Sequence, residues 1–159
     1  MKNTEHEKFM RMAIRVAEEN VKNALGGPFG AVVVKDGELI AESANTVTTT
    51  LDPTAHAEVS VIRLACKMLK TFDLSGCVIY TSCEPCPMCL SAIYWARIDK
   101  IYFANTKEDA CQIGFDDQFI YDEIVLPMQS RKLSAEQLLR TEAQSAFRMW
   151  DEAITKIKY

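Results

Sequence analysis

Residues 77–96 read CVIYTSCEPCPMCLSAIYWA, and the pattern changes character halfway along. The first six form a continuous apolar run of the kind a strand buried on both faces requires. From Pro85 a proline-marked turn opens a short helix, because proline is tolerated at the first helical positions, where its missing N–H is no loss. A buried strand running into a helix places the chain among α/β architectures, and its neighbours agree. Residues 5–24 set Phe9, Met12, Ala13, Val16 and Ala17 on one stripe of an amphipathic helix. The stretch AVVVKDGELIAESAN, 31–45, reads as a hairpin around Asp36-Gly37. A second helix is expected from Thr54 as N-cap, with Val59, Ile62, Ala65, Cys66 and Leu69 facing one way. KIYFANT, 100–106, is another strand, and 134–157 a final helix carrying Leu138, Leu139, Phe147, Trp150 and Ile154. This order describes a single domain over 1–159, an α/β sandwich with a mixed sheet between helical layers.

The formal net charge of −4 and the lack of a basic stripe argue against nucleic acid as a partner, since gripping a polyanion takes clustered Lys and Arg. The charged start lacks the apolar run of a secretion signal, and no stretch approaches the roughly 18 apolar residues of a membrane span. A cytoplasmic protein with no membrane association is therefore expected. In that reducing setting, clustered thiols read more readily as metal ligands or catalysts than as disulfides. Of the six cysteines, Cys66, Cys77 and Cys111 stand singly and read as packed, inert thiols. Cys83, Cys86 and Cys89 follow one another at intervals of three. Their spacing alone admits a disulfide framework, a redox pair, a structural zinc clip or a catalytic zinc site.

Only two histidines are present. His6 lies on the charged first helix and reads as a solvated surface residue. His56 stands in TAHAEV with Glu58 two positions on, where both side chains can reach the open end of a helix. Cys86 and Cys89 share one face of the next helix start, whose dipole favours the thiolate. If the intervening strand brings the two helix starts together, His56, Cys86 and Cys89 converge as one nitrogen and two sulfur ligands. That set suits one Zn²⁺ per subunit and leaves a fourth tetrahedral position open, as catalytic sites do. Glu58 is then free to take a proton from water, hand it to a substrate nitrogen and help an amine leave. The chemistry so described is hydrolytic deamination at a carbon bearing an exocyclic amine. A closed site that adds Cys83 would instead make a structural-zinc binding module, and a redox pair would leave His56-Ala57-Glu58 without a role.

The paired motifs His56-Ala57-Glu58 and Pro85-Cys86-Pro87-Met88-Cys89 resemble the zinc-dependent cytidine and nucleobase deaminase superfamily. That resemblance implies a cytidine deaminase-like, three-layer α/β/α sandwich around a central mixed five-stranded sheet. Over GGPFGAVVVKDG, NTVTTTLDPTAHAEV, YTSCEPCPMCLSAIYWAR and GFDDQFIYDEI it narrows to the bacterial guanine deaminases. The implied reaction is guanine to xanthine and ammonia, in purine catabolism or salvage. The alternatives are guanosine, cytosine or a tRNA adenosine, since tRNA adenosine deaminases share DPTAHAE. The resemblance further implies substrate contacts from Phe29, Asn45, Ala57 and Asp117, with Tyr159 reaching in from a partner subunit. Glu142 and Trp95 are weaker candidates. It also implies a homodimer in which the segment 134–159 crosses to cover the partner's site. Chemistry agrees on the base, because guanine's several N–H donors call for acceptors such as Asp116 and Asp117. Glu108, Asp109, Asp122 and Glu123 nearby in the sequence repel phosphate.

Overall fold

The computed structural model describes residues 3–159, which divide into two compact units, one ending at Asp117 and the other Gln118–Tyr159. The first is built on a mixed sheet. Helix α1 (Asn3–Lys22) precedes strands β1 (Gly30–Lys35) and β2 (Glu38–Ala44), and a short α2 (Val47–Thr50) leads to α3 (Ala57–Leu69). Strand β3 (Cys77–Cys83) then feeds α4 (Pro87–Trp95), which crosses over to β4 (Lys100–Asn105), and α5 (Lys107–Gln112) follows. The strand order is β2-β1-β3-β4. β1 runs antiparallel to both β2 and β3, whereas β3 and β4 are parallel, as a helical crossover requires.

The expected hairpin forms with Asp36 and Gly37 both at positive φ, 51° and 81°, which suits the tight turn matched to strand twist. Strand β3 is buried along nearly its whole length, as its unbroken apolar run foretold. Its side chains alternate between two cores. On one face Phe9 and Ala13 of α1 pack on Val32, Val34 and Tyr80. On the other, Ala57 and Val61 of α3 and Ile93 of α4 pack on Ala31, Val33 and Ile79. Helices thus cover both faces. α1 lies so close to β1 that a Cβ on Gly30 would stand 2.4 Å from the Ala13 carbonyl oxygen.

The sheet differs from the five strands expected, having four among the described residues. After β4 the chain turns helical at once, because Thr106 and Asp109 form a capping box: the Thr106 hydroxyl accepts from the Asp109 amide while the Asp109 carboxylate accepts from the Thr106 amide. Thr54 is not the α3 cap. Its amide and hydroxyl both donate to Asp52 Oδ1, at 2.8 and 2.7 Å, so the helix begins two residues later with His56 as N-cap. His6 is not solvated either: it is half-buried, with Nδ1 2.7 Å from the Tyr80 hydroxyl and Nε2 3.2 Å from that of Tyr102.

The second unit contains α6 (Gln118–Ile124), a single 3₁₀ turn (Met128–Ser130) and α7 (Arg140–Glu152). The final helix is shorter than 134–157 at both ends. It starts only after Leu139, which sits in the left-handed region at φ 50°, and stops at Ala153, whose backbone is extended. No helix among the described residues is long and apolar enough to cross a membrane.

Candidate active site

Helices α3 and α4 both begin at one cavity, and their N-cap residues are His56 and Cys86. Both have extended backbones, and neither side chain is spent on capping its own helix. The positive ends of two helix dipoles therefore meet where the side chains converge, which favours thiolate over thiol. His56 Nδ1 lies 3.6 Å from Cys86 Sγ and 3.5 Å from Cys89 Sγ, and the three donor atoms fall within 4.8 Å of one another. Around a tetrahedral zinc, with its usual bond lengths to sulfur and to imidazole, nitrogen and sulfur would be about 3.5 Å apart. The spacing and the soft donor set both fit zinc. Electrostatics points the same way. The Cys86 thiol is brought down to about 4, chiefly by its hydrogen bond with Cys89 and then by His56. Cys89 moves upward, chiefly through the same bond to Cys86, because two adjacent sulfurs share a single proton. His56 is raised, with the Cys86 hydrogen bond as the leading cause.

Glu58, in the first turn of α3, is only 5% exposed. The Thr81 hydroxyl donates to its Oε1 at 2.9 Å, and the Cys89 thiol to its Oε2 at 3.4 Å. Burial raises its pKa above the usual carboxylate range, partly offset by these donors. A desolvated carboxylate beside a metal-ligand cluster is equipped to accept and return a proton.

The cavity above them holds about 310 Å³ and lies within the first unit. Phe29 forms one wall, its ring set edge-on to Phe115 at 4.9 Å and 85°. Asn45 is buried, and its Oδ1 accepts from the Val47 amide at 3.3 Å, which leaves Nδ2 as its group for a ligand. Asp116 and Asp117 line the same space, and burial, followed by the Cys86 charge, raises the Asp117 pKa. Cys83 also borders the cavity but stands outside the ligand cluster. Its Sγ donates to the Thr106 carbonyl at 3.5 Å, and burial pushes it up to about 11, so it remains a thiol.

Ala57 is fully buried as the first residue of α3, between His56 and Glu58. Trp95, at the end of α4, is 65% exposed and does not line the cavity. Glu142, in the first turn of α7, and Tyr159 belong to the second unit, and both are exposed. Several lining or supporting residues escaped the sequence reading. Lys107 borders the cavity among the acids. Asn20 of α1 is buried, its Nδ2 donating at 2.8 Å to both the Gly27 and the Asn45 carbonyl oxygens. Thr81 had no signal beyond lying on the motif strand.

Residues 3–105 match the cytidine and deoxycytidylate deaminase zinc-binding region. The chain is 52% identical to the guanine deaminase of Bacillus subtilis strain 168 over 97% of its own length and 99% of the relative's. The crystal structure of a Bacillus subtilis guanine deaminase superposes with a TM-score of 0.94, covering 97% of this chain and 98% of that one. A guanine deaminase from Nitrosomonas europaea matches with a TM-score of 0.65 at 34% identity, over 69% of this chain and 63% of that one. The tRNA-specific adenosine deaminase of Aquifex aeolicus is 42% identical, but over only 62% of this chain and 64% of its own.

Proposed function

The chain belongs to the cytidine and deoxycytidylate deaminase zinc-binding family, and on that premise we propose that it hydrolyses guanine to xanthine and ammonia. The observation that carries the proposal is the buried Glu58 carboxylate set against His56, Cys86 and Cys89, beneath a cavity with an aromatic wall and acidic acceptors. When held by His56, Cys86 and Cys89, zinc supplies a Lewis acid that makes water a competent nucleophile near pH 7. Glu58 takes the proton of the attacking water, passes it to the ring nitrogen beside C2, and returns a proton to the departing amine. In sum a C2–O bond forms, the C2–N bond breaks, and ammonia leaves. Asp117 is the acceptor for the N–H edge of the base, Asn45 Nδ2 the donor to one of its acceptors, and Phe29 the ring that packs along the purine. Ala57 brings to the site the first-turn backbone amide that a helix start leaves without an intrahelical partner.

The second unit supports a further part of the reading. Phe147 and Trp150 on α7, with Leu138 and Ile154 flanking the helix, are 72%, 48%, 75% and 100% exposed, and such an apolar surface calls for a covering one. A cytoplasmic homodimer in which 134–159 crosses to the partner gives it one, and brings Tyr159 and Glu142 to the partner's cavity. Trp95, exposed at the end of α4, is then available to the same closure.

The test is ammonia release by zinc-assayed protein from guanine, guanosine, cytosine and an adenosine-containing tRNA stem-loop, with sedimentation to give the oligomer. Release from guanine alone is expected. No release from guanine at one zinc per chain would overturn the activity, and a monomer at working concentration would overturn the swap.

A further inference from the structure

Thr81 is the one residue outside the metal-ligand set whose side chain hydrogen-bonds Glu58 among the described residues. It occupies the middle of β3, paired with Ala31 on β1 and Phe103 on β4, and is fully buried. The pleat aims it to the α3 side, into the layer that contains Cys77, Ile79, Ala31, Ala57 and Val61. Every one of those neighbours is apolar or nearly so. A valine would fill the same volume at that position without bringing a hydroxyl into the core, so packing gives no reason for threonine.

The hydroxyl has one evident task. It donates to Glu58 Oε1 at 2.9 Å, while Oε2 lies on the Cys89 side at 3.4 Å. The two carboxylate oxygens are therefore unlike. Oε1 accepts from a donor on the sheet. Oε2 borders the ligand cluster, and a Cys89 acting as a thiolate ligand has no proton to give it. Building on the activity proposed above, we infer that Thr81 is a positioning residue for Glu58: it locks the carboxylate plane beside the ligand cluster. Thr81 itself gives up no proton and touches no substrate. Its threonine methyl fixes the hydroxyl rotamer against the core, because a β-branched side chain has little freedom at χ1.

The experiment compares Thr81→Val with Thr81→Ser in the zinc-loaded chain. Thr81→Val is expected to lower kcat by about 10- to 100-fold, the size of effect that follows loss of one charge-assisted hydrogen bond. KM and zinc content should stay within about twofold, since neither substrate walls nor ligands are touched. Thr81→Ser keeps the donor and should recover most of kcat. A Thr81→Val enzyme within twofold of the parent, a Thr81→Ser enzyme as damaged as Thr81→Val, or a kcat loss that tracks lost zinc would each overturn the inference. Infrared difference spectra separate this result from the guanine reading. The Glu58 carboxyl band, assigned by its disappearance in Glu58→Gln, should shift in Thr81→Val and not in Thr81→Ser even if guanine proves to be no substrate; a band unmoved in Thr81→Val would refute the contact's role.

Discussion

Replacing Asn20 by alanine tests how far the substrate cavity depends on a helix that does not line it. Asn20 is 4% exposed near the end of α1, and its amide nitrogen donates at 2.8 Å to two carbonyl oxygens, those of Gly27 and Asn45. Both acceptors belong to residues that line the cavity, and the Asn45 amide in turn donates to the Phe29 carbonyl at 3.0 Å. Asn20→Ala removes two bonds at once and leaves the Asn45 carbonyl without that donor, whereas the Gly27 carbonyl keeps the Phe29 amide at 2.8 Å. At about 1–1.5 kcal/mol for each bond, plus part of the desolvation cost of the Asn45 oxygen, the loss should be about 2–4 kcal/mol. For a unit of this size that corresponds to a fall in Tm of roughly 8–20 °C. Because the strap holds Asn45 and the Phe29 loop in register, KM for guanine should rise several-fold while kcat changes little. Asn20→Asp should be worse than alanine, since it sets a carboxylate against two carbonyl oxygens. Thermal unfolding followed by circular dichroism and steady-state ammonia release would check both parts. A Tm within about 2 °C of the parent, or a kcat loss with KM unchanged, would refute the strap.

Glu58→Gln keeps the shape of the side chain and the Thr81 contact but removes the base, so kcat should fall by about 10²- to 10⁴-fold with one zinc still bound per chain; equal loss of metal would point to a structural role instead. Cys86→Ser or Cys89→Ser should lose metal outright, read by atomic absorption, and a chelator should abolish parent activity that added zinc restores. Gly26→Ala would bring a Cβ to 2.1 Å from the Asn45 carbonyl oxygen, so the backbone must shift, and a destabilisation of about 1–3 kcal/mol by chemical denaturation is expected. Deleting the last few residues, Tyr159 included, should reduce turnover far more than zinc content, and a parallel loss of both would show that the tail only supports the fold.

The metal-ligand set is legible in the sequence because its signals are local. Thiols at three-residue spacing after a proline, and a histidine two before a carboxylate, each mark a helix start, and one buried strand lies between them. The hairpin is legible for the same reason, through Asp36-Gly37. What escapes depends on partners distant in sequence. His6 looks solvated on a helical wheel because the wheel does not reveal that Tyr80 and Tyr102, on β3 and β4, meet it. Asn20 reads as one more polar residue near a helix end, and Thr81 as an ordinary β-branched strand residue. Thr54 misleads because an Asx turn with Asp52 claims the groups that a cap would have used. The fifth strand comes from resemblance alone, while the local capping box after β4 favours a helix.

Strand β3 turns Tyr80 toward α1 and Thr81 toward α3. Since side chains alternate with a period of two, a slip of one residue against β1 would set Tyr80 where Glu58 expects a hydroxyl and Thr81 among the rings and aliphatics of the opposite core. The same slip would carry Cys86 and Cys89 away from His56. Closing the three-ligand cluster thus depends on strand pairing in this register. Synthesis runs from the N-terminus, so every ligand and the strands that arrange them are made before Gln118–Tyr159.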